Sequence, residues 1–210
     1  MSCDQSDRCI RSSNCHGCSY RILHTKLKIQ KKDTPLALYA KNIIRNDCFK
    51  FCSNSEKGIG GRYRMDKAIK RILLEANSIN TSFPKLKELK KDKLKVKLKG
   101  KEKNWDIIAK CDVAYETEEG TCILVEVKGY GVDTNSLYSA ILAAKIVKAD
   151  EDFRNCLFYY FSTESRSKLL GGKPLERNKI MQWAEETGVI DGFYGIEDLA
   201  DLFNEIAKLA

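Results

Sequence analysis

The stretch Lys110-Cys111-Asp112-Val113-Ala114-Tyr115-Glu116-Thr117-Glu118-Glu119-Gly120-Thr121-Cys122-Ile123-Leu124-Val125-Glu126-Val127-Lys128 reads as one β-hairpin. Apolar and β-branched residues dominate both arms, and Glu118-Glu119-Gly120 supplies the polar, glycine-containing turn between them. With the turn centred there, Asp112 and Glu126 lie equally far from it and face each other. Directly opposed residues have β-carbons about 5 Å apart on one face of a sheet. Two carboxylates at that spacing can share one divalent cation, and Lys128 projects from the same face. Like charges placed opposite each other repel, and a bound Mg²⁺ with a neighbouring ammonium gives the pairing a reason.

Outward from the hairpin, Leu94, Val96 and Leu98 alternate with Lys93, Lys95, Lys97 and Lys99. This period of two predicts a strand with one apolar and one lysine face. Ile107, Ile108, Val113 and Ala114 are expected on the first hairpin arm, and Ile123, Leu124, Val125 and Val127 on the second. Upstream, Met65, Ile69, Ile72, Leu73 and Ala76 form one stripe of an amphipathic helix within residues 62–79, expected to pack on the sheet. Downstream, residues 135–149 read as a helix and 156–161 as a buried strand, so a crossover to a parallel strand is expected. Two helices, near residues 175–187 and 196–209, close the chain. Pro35 opens a short helix over residues 36–46, and the breaker-rich run Ser53 to Gly61 suggests a boundary. The expected division is a Cys-rich module over residues 1–58 and a larger domain over 59–210.

Asp112, a hairpin, and Glu126-Val127-Lys128 after the apolar run Ile123-Leu124-Val125 together resemble the PD-(D/E)xK signature of the restriction-endonuclease-like nuclease superfamily. The resemblance spans roughly residues 62 to 161 and departs from the pattern at Cys111, where the signature's proline would stand. It implies an α/β fold with a restriction-endonuclease-like core: a mixed four- to five-stranded sheet flanked by helices. It also implies a site in which Asp112 and Glu126 ligate Mg²⁺ or Mn²⁺ and the backbone carbonyl of Val127 completes the donor set. Lys128 would orient or deprotonate water, or steady the phosphate. Many members add an acid from the first helix; Asp66 is the leading candidate for that place and Glu75 the second. Asp106 competes for the role of the hairpin aspartate, but its opposite position would fall beyond the Glu126/Lys128 pair, which favours Asp112.

Hydrolysis of a phosphodiester needs a nucleophilic water, stabilisation of charge on the phosphoryl oxygens and help for the departing oxygen, all within reach of a carboxylate-held divalent metal. Hard oxygen ligands without a nearby histidine favour Mg²⁺ or Mn²⁺ over Zn²⁺ at this site. The competing reading is that these residues are solvated hairpin charges.

The chain has 210 residues, nine cysteines and a net charge of +8. No apolar stretch approaches membrane-spanning length and the N-terminus lacks the layout of a secretory signal, so a cytoplasmic protein with no membrane partner is expected. Reduced cysteines then point to metal binding or burial rather than a disulfide framework. Cys15-His-Gly-Cys18 and Cys48-Phe-Lys-Phe-Cys52 form two short ligand pairs that, from separate loops, would hold a tetrahedral structural Zn²⁺. An iron-sulfur cluster is the second reading, since four thiolates also suit it and some nucleases that look like this one carry a cluster beside the core. Cys111, Cys122 and Cys156 read as buried small hydrophobes.

Lysine recurs at every second or third position from Lys85 to Lys103. Lys93, Lys95, Lys97 and Lys99 are therefore candidate phosphate contacts, which position a nucleic acid without reading its bases. Together these features predict a Mg²⁺-dependent endodeoxyribonuclease of restriction-enzyme or junction-resolvase type. It is expected to act on DNA as a homodimer, because one such site cuts one strand and two-fold symmetry supplies the second cut. The alternatives are a non-catalytic, zinc-containing nucleic-acid-binding protein and an iron-sulfur nuclease acting on single strands.

Overall fold

The computed structural model describes Leu27 and residues 33–56, 65–89, 94–109, 111–128, 134–163 and 175–210, with backbone alone for 47–56 and 175–177. Helix α1 spans Pro35–Glu56 and α2 spans Met65–Ile79. Strands β1 (Leu86–Glu88), β2 (Lys95–Lys99), β3 (Asn104–Ile108), β4 (Val113–Thr117) and β5 (Cys122–Lys128) follow. Helix α3 (Thr134–Lys148), β6 (Leu157–Ser162), α4 (Leu175–Glu186), β7 (Gly192–Tyr194) and α5 (Leu199–Ala207) complete the order.

The main sheet has five strands in the order β1-β4-β5-β6-β7. β1, β4 and β5 pair antiparallel, whereas β5, β6 and β7 pair parallel, so the sheet is mixed. β5 is central and carries the run of Ile123, Leu124 and Val125, all fully buried. Such continuous apolar runs are what a strand covered on both faces requires. One face carries Val113, Tyr115, Ile123, Val125, Val127, Tyr159 and Phe161 and packs under α1, α2 and α5. The other carries Ala114, Cys122, Leu124, Phe158 and Tyr160 and packs under α3, α4 and β2.

Several local readings hold in the structure. The hairpin pairs Val113 with Val125 and Ala114 with Leu124, the register set by a turn at Glu118–Gly120. Gly120 has φ of 85°, a conformation glycine adopts without steric cost. All five residues of the predicted α2 stripe are buried. The crossover from β5 through α3 to the parallel β6 is present.

Other expectations are corrected. Ile107 and Ile108 do not belong to the β4 arm; they lie in β3, which pairs with β2 in a separate two-stranded sheet, Val96 opposite Ile107 and Lys95 opposite Ile108. The local turn after β2 captures β3, and the chain is not in strand conformation at Ala109 or Asp112. Helix α1 does not stop near Asn46 but runs to Glu56, because no glycine or proline interrupts it after Pro35. Its start has the expected chemistry: Thr34 Oγ1 accepts the Ala37 N–H at 3.2 Å and Pro35 occupies the first turn. Leu27, Leu36, Ala40, Ile43 and Ile44 share a core with α2, α5 and the sheet. Residues 1–26 and 57–64, which hold much of the expected Cys-rich module and its boundary, lie outside the described residues. The three-residue edge strands β1 and β7 are too short to have left a periodic signal in the sequence. Among the described residues, no helix is long and apolar enough to cross a membrane.

Candidate metal and phosphate site

Asp112 precedes β4, and Glu126 and Lys128 lie at the C-terminal end of β5. Asp112 Oδ2 accepts the backbone N–H of Val127 at 2.9 Å. The Asp112 backbone N–H also lies close enough to the Glu126 carboxylate to favour its charged form slightly. The Asp112 side chain thus extends the pairing to the end of β5 where the regular ladder has ended. Lys128 Nζ donates to Glu126 Oε1. This ion pair is half-sheltered, with the Glu126 side chain 14% exposed and that of Lys128 31%.

Backbone direction adds a third oxygen. Lys128 O accepts the Thr163 N–H at 3.1 Å, on the β6 side of β5. Peptide groups alternate along a strand, and a residue's N–H and C=O point the same way. The Val127 carbonyl therefore faces the β4 side, where Asp112 takes its N–H.

Electrostatics singles out Glu126. Burial raises its carboxyl above the usual carboxylate range, the Lys128 hydrogen bond draws it back, and the Asp112 charge adds to the rise. A cation between the two acids would relieve both the burial cost and the repulsion. Two carboxylates and a strand carbonyl are hard oxygen donors, so the set fits Mg²⁺ or Mn²⁺. Among the described residues, no three His, Cys, Asp or Glu side chains come together as a metal cage. A cation here would thus depend on the carbonyl and on water or substrate oxygens as well, as Mg²⁺ sites commonly do.

The parallel register brings in residues the hairpin reading missed. Tyr160 lies beside Glu126 and Ser162 beside Lys128 on the same sheet face. Both are fully buried. Thr163, 2% exposed, has a hydroxyl with no hydrogen-bond partner among the described residues, directly beside the Lys128 backbone. Only long-range strand pairing could have found these residues. Cys111, at the position of the signature's proline, donates its thiol to Val113 O at 3.1 Å. Burial, then the charges of Glu126, Cys122 and Asp112, push that thiol up to about 12, so it stays protonated at neutral pH.

Asp66 is half-buried in the first turn of α2. The α2 stripe packs on the face of Val125 and Val127, whereas Glu126 and Lys128 leave β5 on the opposite face. Asp66 would have to approach the cluster around the strand ends. Glu75 points to solvent and pairs with Arg71 at 3.2 Å. Asp106 stands exposed on β3 opposite Lys97, in the separate hairpin. Lys95, Lys97 and Lys99 are exposed on β2 as expected from their alternation, while Lys93 lies outside the described residues. Lys99 pairs with Glu151 at 2.9 Å. Cys15 and Cys18 also fall outside the described residues, and Cys48 and Cys52 belong to helix α1 rather than to a loop. Cys122 and Cys156 are buried, and Cys111 is half-buried.

Comparison with protein-family models, curated proteins and solved structures returned no match.

Proposed function

We propose that this protein is a Mg²⁺- or Mn²⁺-dependent endodeoxyribonuclease of the restriction-enzyme or junction-resolvase type, with Asp112, Glu126 and the Val127 carbonyl as metal donors. The observation that carries this reading is the meeting of Asp112 and Glu126 at one hairpin end, with Asp112 bonded to the Val127 N–H and Lys128 to Glu126. Like charges brought together in a half-sheltered place cost stability, and sites that perturb a carboxyl this way are candidates for function.

A hard divalent cation held there supplies charge stabilisation at the phosphoryl oxygens and acidifies water. Asp112 is held in place by the Val127 N–H, and such fixed groups are the ones that act most strongly as electrostatic stabilisers. Lys128 donates a hydrogen bond to Glu126; were that acid to ligate a cation, the ammonium would be free to hold the scissile phosphate or a water. The buried Thr163 hydroxyl and Ser162 line the strand end beside it. Asp66 remains a candidate third acid from α2. The protein acts as a homodimer in this reading, with a structural Zn²⁺ bound by Cys15, Cys18, Cys48 and Cys52.

The test is cleavage of supercoiled and branched DNA with Mg²⁺ or Mn²⁺ by the wild type, Asp112→Ala and Lys128→Ala. Cutting by the wild type alone, with both variants folded, supports the site, and discrete fragments would favour a restriction enzyme over a resolvase. A wild type that binds DNA but leaves every substrate intact would make the protein a non-catalytic binder.

A further inference from the structure

The β2–β3 hairpin is a unit apart from the main sheet, and its tip has a chemistry that the cluster at Glu126 does not use. From Leu94 to Ala109 it carries five lysines against two acids. Lys95, Lys97, Lys99, Lys101 and Lys103 are all exposed. Trp105, opposite Leu98, is 55% exposed. Val96, on the same hairpin face, is completely buried against the α3 side of the core. Trp105 therefore projects where that cover ends.

The exposed ring is nevertheless held. Lys103 Nζ sits 4.1 Å from the Trp105 ring centroid. The ring edge lies against the backbone of Gly100: a β-carbon there would come within 3.0 Å of Trp105 Nε1 and 2.5 Å of the Lys103 carbonyl. That carbonyl closes the turn by accepting the Gly100 N–H at 3.0 Å. Trp105 is a large exposed indole, fixed in orientation with the Lys103 ammonium over one face. That is what a stacking platform for a nucleobase needs, because every base has a π-face and the ring loses little freedom on binding.

We propose that the β2–β3 hairpin is a single-stranded nucleic-acid-binding arm on which Trp105 stacks an unpaired base while Lys95, Lys97, Lys101 and Lys103 follow the phosphates. The base takes the ring face away from Lys103, and Lys103 meets the phosphate of the same nucleotide. Bases inside a duplex are stacked on each other and cannot offer a face, so the arm selects single-stranded or branched nucleic acid over a plain duplex. The arm leads directly into Asp112. At roughly 3.3–3.6 Å per residue, the seven residue steps from Trp105 to Asp112 hold the two within about 25 Å of each other. The proposal stands apart from the hydrolytic reading, since binding is measured without a divalent cation.

The experiment is fluorescence anisotropy in EDTA with a labelled single strand and the matching duplex, comparing wild type, Trp105→Phe and Trp105→Ala. The wild type is expected to favour the single strand. Trp105→Ala should weaken that binding about five- to a hundredfold, the loss of one stacked base, with duplex affinity nearly unchanged and Trp105→Phe retaining most of the binding. In a Trp183→Phe background, the remaining indole emission should be quenched on binding. Unchanged single-strand affinity in Trp105→Ala, no binding by the wild type, or a duplex preference indifferent to Trp105 would overturn the proposal. So would a variant that merely dissociates from dimer to monomer, which would assign Trp105 to a contact between copies. None of these results bears on whether the Asp112 site cleaves, so the two readings fail separately.

Discussion

Asp112 braces the strand end that carries Glu126: its Oδ2 takes the Val127 N–H at 2.9 Å. Neutral isosteres keep the shape but remove the charge that would hold a cation. Asp112→Asn and Glu126→Gln should each lower Mg²⁺-dependent cleavage by roughly two to four orders of magnitude, the scale of a positioned polar group. Single-turnover cleavage on folded protein reads this directly, and near-wild-type rates would remove the site from the chemistry.

Glu126 also predicts a pH dependence. Its carboxyl is raised in the fold, so the folded state binds the proton more tightly than the unfolded chain does. Stability from this group is complete below the ordinary value of 4.5 and declines as pH rises through the folded value. Glu126→Gln should therefore melt higher than wild type at neutral pH, with the difference vanishing near pH 4. Cleavage should rise over the same window as the carboxylate forms. Thermal melts across pH check the first half, and a variant that melts lower than wild type at neutral pH would contradict it.

Asp150 ties the hairpin to the body. Its carboxylate is almost fully buried and accepts the N–H of Lys97 at 2.5 Å and of Asp152 at 2.8 Å. Removing a charged acceptor of two backbone donors should cost about 2–4 kcal/mol. For Asp150→Ala, hydrogen exchange should accelerate at the amides of β2 and β3 ahead of those in β5. Uniform protection in both sheets would show that the hairpin is held by its apolar face alone.

Tyr115 links the sheet to α2: its hydroxyl donates to Lys70 O at 3.1 Å from a fully buried ring. Tyr115→Phe keeps the packing and loses one hydrogen bond, about 1 kcal/mol. For a chain of this length the melting temperature should fall by roughly 2–4 °C, measurable by calorimetry.

The metal content of the Cys-rich segment is open to direct assay. Zinc bound through Cys48 and Cys52 predicts about one Zn²⁺ per chain in purified protein, lost in Cys48→Ser/Cys52→Ser. Absorbance near 400 nm would instead identify an iron-sulfur cluster. Both cysteines lie on one continuous helix, so both would have to serve from helical backbone.

Short-range physics made a good part of this molecule legible from its residues. The turn at Glu118–Gly120 set the β4–β5 register and brought Asp112 and Glu126 to the same end, because hairpin pairing follows from the turn position. The stripe on α2 and the lysine alternation on β2 followed from helix and strand periods for the same reason. Partner choice between distant segments was not legible. Ile107 and Ile108 look like residues of the main hairpin in isolation, but the turn after β2 pairs them with that strand instead. The buried Ser162 and Thr163 reach Lys128 through a parallel register set across a whole crossover helix. Asp66 was placed by pattern near the acids, yet α2 covers the opposite face of β5. Local spacing determines which side chains share a strand face. Which strands meet, and how deeply a carboxyl such as Glu126 is buried, depend on the packing of the whole chain.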